Sequence, residues 1–285
     1  MKKSNLEQAS LSDILFYVEM KDNPRNANQE YSKVVTGMIG GQEIDLNYCS
    51  PRYELVTNDE IFPVIRQILI IHEIEFTEKY YHLNNARFYG EYTIEDSRFA
   101  YKIEGSNGDV VKPVIRVQHS YNGLTKYEIS FGYYRLICSN GLVIPVEQMK
   151  EFNLHITGKH TQSIKRSLER LNETIQYFAE NAEQITTAIT ASYDRLAGNA
   201  VTNVDDRIKE VLNASNITIK ENSKFNTLDY VKGVISSEID LYGGVTNDFL
   251  IYNAINQYIN DDSLNVKVPE VRHNMDSKVL EYMLS

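Results

Sequence analysis

A chain of 285 residues is long enough for one large core or two modest ones, and with 42% hydrophobic and 24% charged residues it belongs among globular proteins. A formal net charge of −10 argues against a surface uniformly coated for nucleic acid, and no run nears the roughly 20 apolar residues of a membrane-spanning helix. Cys49 and Cys138 stand too far apart for a metal-binding spacing and make no disulfide framework, so the expected location is a reducing one, the cytoplasm.

Residues 1 to 30 read as an arm or short amphipathic element, in which polar residues interrupt any signal-like apolar run. The stretch from Ser32 to Tyr53 then offers two short strands about a Gly40–Gly41 turn. Asn58, Asp59 and Glu60 precede an apolar segment with Pro63 in its first turn, which suits a buried helix. Its isoleucines leave a strand open as the alternative.

From about Glu78 to Pro145 the pattern changes to period two, with aromatic and β-branched residues, and predicts a meander of antiparallel strands. Turn signals at Ser106–Asp109, Asn122–Gly123 and Asn140–Gly141 separate them, because Asn and Gly accept the left-handed backbone of tight turns. Ile164, Leu168, Leu171, Ile175, Phe178, Ala182, Ile185 and Ile189 follow at alternating spacings of four and three. That spacing draws one apolar stripe along a long helix, which either crosses the chain's own sheet or packs on a second subunit.

Beyond Gly198, smaller helices are expected near VDDRIKEVL, with Asn203 or Asp205 as cap, and near TLDYVKGVISSEIDLY. Another is expected after Thr246, presenting Phe249, Tyr252, Ile255 and Ile259, and a last one in the tail. The expected fold is α+β: an antiparallel β-meander backed by a long amphipathic helix, with smaller C-terminal helices. The expected organisation is an arm over 1–30, a core over 31–198 and a helical region over 199–285 packed on it.

The chain has no Walker A, GxGxxG, GxSxG, HExxH or EF-hand pattern. His155 and His160 are five apart, a poor interval for two ligands on one helix face, and no local Cys or Asp completes a set. Ser120, His119 and Asp109 form a triad only on paper. The Asp205–Asp206 and Asp261–Asp262 pairs suit caps and turns better than a divalent cation. No catalytic residue, metal or cofactor is therefore expected.

Charge is unevenly spread. Residues 111 to 170 hold nine Lys or Arg against four Glu, while the flanking segments are acidic. Arg116, Lys126 and Arg135 fall on adjacent predicted strands, with Tyr121, Tyr127, Phe131, Tyr133 and Tyr134 between them. Lys159, Lys165 and Arg166 carry the charge into the long helix. Cations against phosphates with rings beneath bases is how single-stranded nucleic acid is commonly held, although tyrosine on both faces of a sheet is also ordinary packing. The candidate contacts are Arg116, Lys126, Tyr127, Tyr134, Arg135, Lys159, Lys165 and Arg166.

The segment from Phe131 to Leu142, with Arg135, Cys138, Asn140 and Gly141 in an Arg-x-x-Cys-x-Asn-Gly turn, resembles a family of phage and plasmid proteins catalogued as domain of unknown function 932. A later stretch, Tyr252, Asn253, Ala254, Gln257 and Tyr258, resembles a helix of that family, although the family more often has Thr or Glu before the last Tyr. Gly243–Gly244 departs from its usual Thr-Gly run. The resemblance implies a mobile-element origin and host-cell cytoplasm, and a remote likeness to single-strand annealing proteins, whose curved sheet is backed by a helix and assembled into rings. Within the turn, Asn140 and Gly141 make the reversal, Cys138 fills a small apolar position, and Arg135 either reaches phosphate or braces the turn's carbonyls.

Two function classes follow. One is a non-enzymatic single-stranded DNA-binding or annealing protein, a homo-oligomer through its long helix or sheet edges. The other is a phage structural or host-protein-interaction protein.

Overall fold

The computed structural model describes residues 6–24, 29–102, 110–135, 141–143, 155–158, 163–222, 225–261, 264 and 269–285. Its first elements are β1 (Leu6–Ala9), α1 (Leu11–Ile14), β2 (Val18–Asp22), β3 (Lys33–Ile39), β4 (Gln42–Cys49) and α2 (Phe62–Ile71). The meander runs through β5 (Phe76–Leu83), β6 (Arg87–Ile94), β7 (Tyr101–Lys102), β8 (Val110–Ser120), β9 (Tyr127–Arg135), β10 (Gly141–Val143) and β11 (His155–Gly158). Then come α3 (Ser163–Gly198), α4 (Val204–Ala214), the short β12 (Glu221–Asn222) and β13 (Phe225–Asn226), α5 (Thr227–Tyr242), α6 (Asp248–Asn260) and α7 (Pro269–Leu284). The architecture is the expected α+β one, with antiparallel sheets in meander order, a long helix and smaller C-terminal helices.

The chain divides into two compact units of interleaved segments. One takes Met1–Asp96, Ile115–Ser130 and Asn153–Asn181, and the other Ser97–Val114, Phe131–Phe152 and Ala182–Ser285.

In the first unit the strand order is β1-β5-β6-β8-β9, with β11 paired to β9. Within the segment expected to be an arm or short amphipathic element, β1 pairs with β5 and β2 with β3. β2, Val-Glu-Met-Lys-Asp, alternates apolar and polar residues as a half-buried strand does, whereas β1, Leu-Glu-Gln-Ala, does not. The three-stranded sheet β2-β3-β4 turns at Gly40 and Gly41, whose φ values of 58° and 78° are left-handed, as a two-residue hairpin requires.

The isoleucine-rich segment forms helix α2, with Pro63 in its first turn, and not a strand. Phe62, Ile65 and Leu69 are fully buried at helical spacing. Phe62 meets Tyr80 edge-on at 5.7 Å between ring centres, and its carbonyl accepts the Tyr92 hydroxyl at 2.9 Å. Gly90 makes this packing possible, since a Cβ there would lie 2.7 Å from the Phe62 ring.

The hairpin at Asn122–Gly123 is formed, with Gly123 at φ 68°. Ser120 donates its hydroxyl to the Thr125 carbonyl at 2.7 Å and accepts the Thr125 N–H at 3.1 Å. Fully buried and committed to the turn, Ser120 is unsuited to act as a nucleophile. Ser106 to Asp109 lies outside the described residues, but Tyr101 pairs with Val111 across it.

The long helix is the predicted one. Leu171, Ile175, Phe178, Ala182 and Ile185 are all 2% exposed or less, and Tyr193 and Leu196 continue the stripe. These described positions are covered by the chain itself, which removes them as an oligomer contact, while the side chains of Ile164, Leu168 and Ile189 lie outside the described part. Asn181 breaks helical geometry at φ −119°, ψ 16°, and its amide donates to the Tyr177 carbonyl at 2.9 Å. A side chain competing for the i−4 carbonyl is a recognised cause of helix distortion.

In the second unit, α5 is capped by Asn226, and α6 by Asn247, one residue after the expected Thr246. Phe249, Tyr252, Ile255 and Ile259 are buried as predicted, but so are Asn253 and Asn256. The helix is buried on more than the one face that its apolar spacing suggests, because its polar positions find partners: Asn253 donates to Glu238 of α5, and Asn256 to Asp276 of α7 at 2.6 Å. Arg207 of α4 grips the buried Asp248 with two bonds of 2.9 and 3.1 Å.

Candidate nucleic-acid interface

Strand alternation gives the central sheet of the first unit two unlike faces. One is apolar, carrying Tyr80, Phe88, Tyr92, Ile115 and Val117, all 3% exposed or less. The other carries charge. Lys79 of β5 stands directly opposite Glu91 of β6, and Arg116 of β8 donates from Nε to Glu91 at 3.4 Å. Two residues further along β8, Gln118 donates to Glu128 of β9 at 2.7 Å, and the Lys126 ammonium lies 3.0 Å from the same carboxylate. A continuous row of polar side chains therefore crosses the sheet from β5 to β9.

Exposure separates the two predicted cations. The Lys126 side chain is 51% exposed and that of Arg116 24% exposed. Glu128 is only 8% exposed, so Gln118 and Lys126 supply the donors that a nearly buried carboxylate needs. Each cation thus has an anionic neighbour that orients it and offsets part of its charge.

The aromatic residues behave differently from the binding pattern expected of them. Tyr121, Tyr127, Phe131 and Tyr133 are each 1% exposed or less, so these rings belong to the core. Tyr127 is fully buried, and burial pushes its phenol well above the ordinary tyrosine range, as it does for Tyr133, which donates to Thr186 of α3. Tyr127 is therefore withdrawn from the candidate stacking residues. Strand alternation places residues 127, 129, 131 and 133 on one face, and that face is the apolar one.

Tyr134 and Arg135 end β9 in the second unit, where Tyr134 pairs with Gly141. Gly141 is thus the first, paired residue of β10, while the rest of the expected reversal, 136–140 with Cys138 and Asn140, lies outside the described residues. Lys165 and Arg166 lie in the first turns of α3, their side chains outside the described part, and Lys159 is outside the described residues altogether. The structure brings Arg116 and Lys126 into one row, together with Lys79, Glu91, Gln118 and Glu128, which sequence reading missed. The signal available for them was the polar phase of the alternation in β5, β6, β8 and β9.

Among the described residues, no group of three His, Cys, Asp or Glu side chains could hold a metal ion, and no helix is long and apolar enough to cross a membrane. Comparison with known families finds the one described as domain of unknown function 932, which matches residues 45–228. No curated protein and no solved structure matches the chain.

Proposed function

The chain belongs to this phage- and plasmid-associated family, and from that premise we propose that it binds single-stranded DNA without a catalytic step, as an oligomer. The observation that carries the reading is the polar row on the central sheet, in which Arg116 and Lys126 are held in place by Glu91 and Glu128. Cations set along a sheet face can follow a phosphate backbone, and the amide of Gln118 adds a hydrogen-bonding group between them. Arg135, Lys159, Lys165 and Arg166 extend the positive charge along the sequence, and Tyr134 remains the proposed stacking ring. The buried rings of this segment support the sheet and leave affinity to phosphate contacts, so binding should depend steeply on salt.

The test is the electrophoretic mobility of a labelled single strand with stoichiometric protein at low salt. A shift that is lost in the Arg116→Ser/Lys126→Ser double variant is the expected result, and unchanged mobility with the wild-type chain refutes the reading. Mass photometry with and without a long single strand tests the oligomer.

A further inference from the structure

The three-stranded sheet of the first unit has an inner and an outer face, and the outer one is chemically unlike the polar row. Its register places Tyr17, Met38 and Tyr48 on the same side. Tyr48 pairs with Val34, Met38 with Glu43, and the Met38 N–H donates to the Tyr17 carbonyl at 2.9 Å, which continues the β2–β3 pairing by one residue. Val34 and Thr36 form the buried centre of this face, at 6% and 3% exposure. Around that centre Tyr17 is 62% exposed, Tyr48 45% and Met38 41%. Single exposed apolar residues are ordinary, but three large ones on one rigid sheet face mark an interaction surface.

The charges between them identify the partner. Glu19, Glu43 and Asp45 share the face, and among the described residues Lys21 is its single cation. Lys21 is held between Glu43 at 2.8 Å and Glu19 at 3.0 Å, and these carboxylates keep its ammonium protonated, pushing its pKa up to about 12. Tyr17 and Tyr48 donate their hydroxyls to Glu19 and Asp45, which leaves each ring anchored at its polar end by a carboxylate. Three carboxylates against one ammonium repel nucleic acid and anionic lipid alike. A second copy docked by the same face would set these carboxylates against their own counterparts, an arrangement that costs binding energy.

We propose that the outer face of the β2-β3-β4 sheet, built on Tyr17, Met38 and Tyr48 and edged by Glu19, Glu43 and Asp45, docks a cationic polypeptide of another protein. Arginine side chains of the partner lie against the tyrosine rings while their guanidinium groups meet the carboxylates, so each ring and acid pair works as one subsite. Met38, flexible and polarizable, stands beside Tyr17 across the β2–β3 pairing and meets the partner's aliphatic parts there. The surface shares no residue with the polar row proposed for DNA and carries a net charge of opposite sign.

The experiment uses the full-length chain and a fluorescent oligoarginine peptide, followed by anisotropy at low and moderate salt. The Tyr17→Ser/Tyr48→Ser variant changes no charge and is expected to weaken binding by about tenfold. Glu43→Gln/Asp45→Asn is expected to weaken it as well, whereas Glu173→Gln/Glu183→Gln, the same charge change at exposed positions on α3, leaves it unchanged. Thermal melts of the four proteins should coincide. The proposal is overturned if the wild-type chain does not bind, if the tyrosine variant binds as well as wild type, or if the α3 variant loses as much affinity as the sheet variant. It is also overturned if the peptide-free chain sediments as a dimer that Met38→Glu dissociates, since the occupant is then a second copy.

Discussion

The phenol oxygen of Tyr121 accepts the backbone N–H of Asn58 at 2.8 Å, joining the residue after β8 to the turn that opens α2. Both residues are 1% exposed or less, and the Tyr121 carbonyl in turn accepts the Tyr53 hydroxyl at 3.2 Å. The Asn58 amide donates to the Ile14 carbonyl at 2.8 Å, so one buried node ties together segments that are distant in sequence. Tyr121→Phe keeps the ring in its contacts with Phe16 and Phe88 but leaves the Asn58 N–H without its acceptor. A buried donor left unsatisfied costs about 1–3 kcal/mol. Chemical denaturation should show that loss as a lower midpoint with an unchanged slope.

Gly90 is a second such point. Any side chain there must displace the Phe62 ring, which is fully buried between Tyr80 and the strand. Gly90→Ala is expected to destabilise the chain by about 1–3 kcal/mol, the usual cost of overpacking a core. Adding Phe62→Leu should recover part of it, and a double-mutant cycle read by denaturation midpoints measures the coupling. Additive losses would show that the ring is not the obstacle.

Acid should unfold the chain through a defined set of carboxylates. Asp13 is held below the usual range by the Ser10 hydroxyl and N–H, Glu19 and Asp22 by Lys21 and Lys33, and Glu210 by Tyr282 and then Arg207. In the unfolded chain these carboxyls return to their ordinary, higher values and take up protons first as pH falls. Their contribution is therefore complete above the ordinary carboxylate range and is lost as pH falls through the folded-state values. The melting temperature should be level above about pH 5.5 and fall below about pH 4.5. Tyr282→Phe removes the largest influence on Glu210 and should make the fall shallower.

The proposed DNA contacts are open to a thermodynamic measurement. Each phosphate contact to a single strand contributes about 0.7 to the slope of log affinity against log salt. Arg116→Ser and Lys126→Ser should each lower that slope by about this amount while leaving the melting temperature near its wild-type value. Weakened binding with an unchanged slope would mean that these side chains support the fold and do not touch phosphate.

Much of this architecture was legible in the residues themselves. Gly40–Gly41 and Asn122–Gly123 announce hairpins because few other residue pairs tolerate left-handed backbone, and both turns are formed. The stripe from Leu171 to Ile185 fixes a helix because spacings of four and three close on one face, and those positions are buried. Local rules fell short where a pattern served two ends. The isoleucines of α2 suit sheet or helix equally, and burial of Phe62, Ile65 and Leu69 decides between them. The opening residues lack a pattern strong enough to predict strands and acquire one from their pairing with β5 and β3.

Composition and spacing by themselves determined the α+β class, the meander, the long helix and the uneven charge, since each depends only on neighbours along the chain. Which face each strand turned inward was decided by tertiary structure alone. Tyr127 and Lys126 are adjacent in sequence, yet one is fully buried and the other half exposed beside Glu128. The same holds at Tyr17, Met38 and Tyr48, three ordinary residues until register puts them on one outer face among carboxylates. A surface is a property of what lies side by side across strands, and hydrogen-bond pairing between distant segments sets that adjacency.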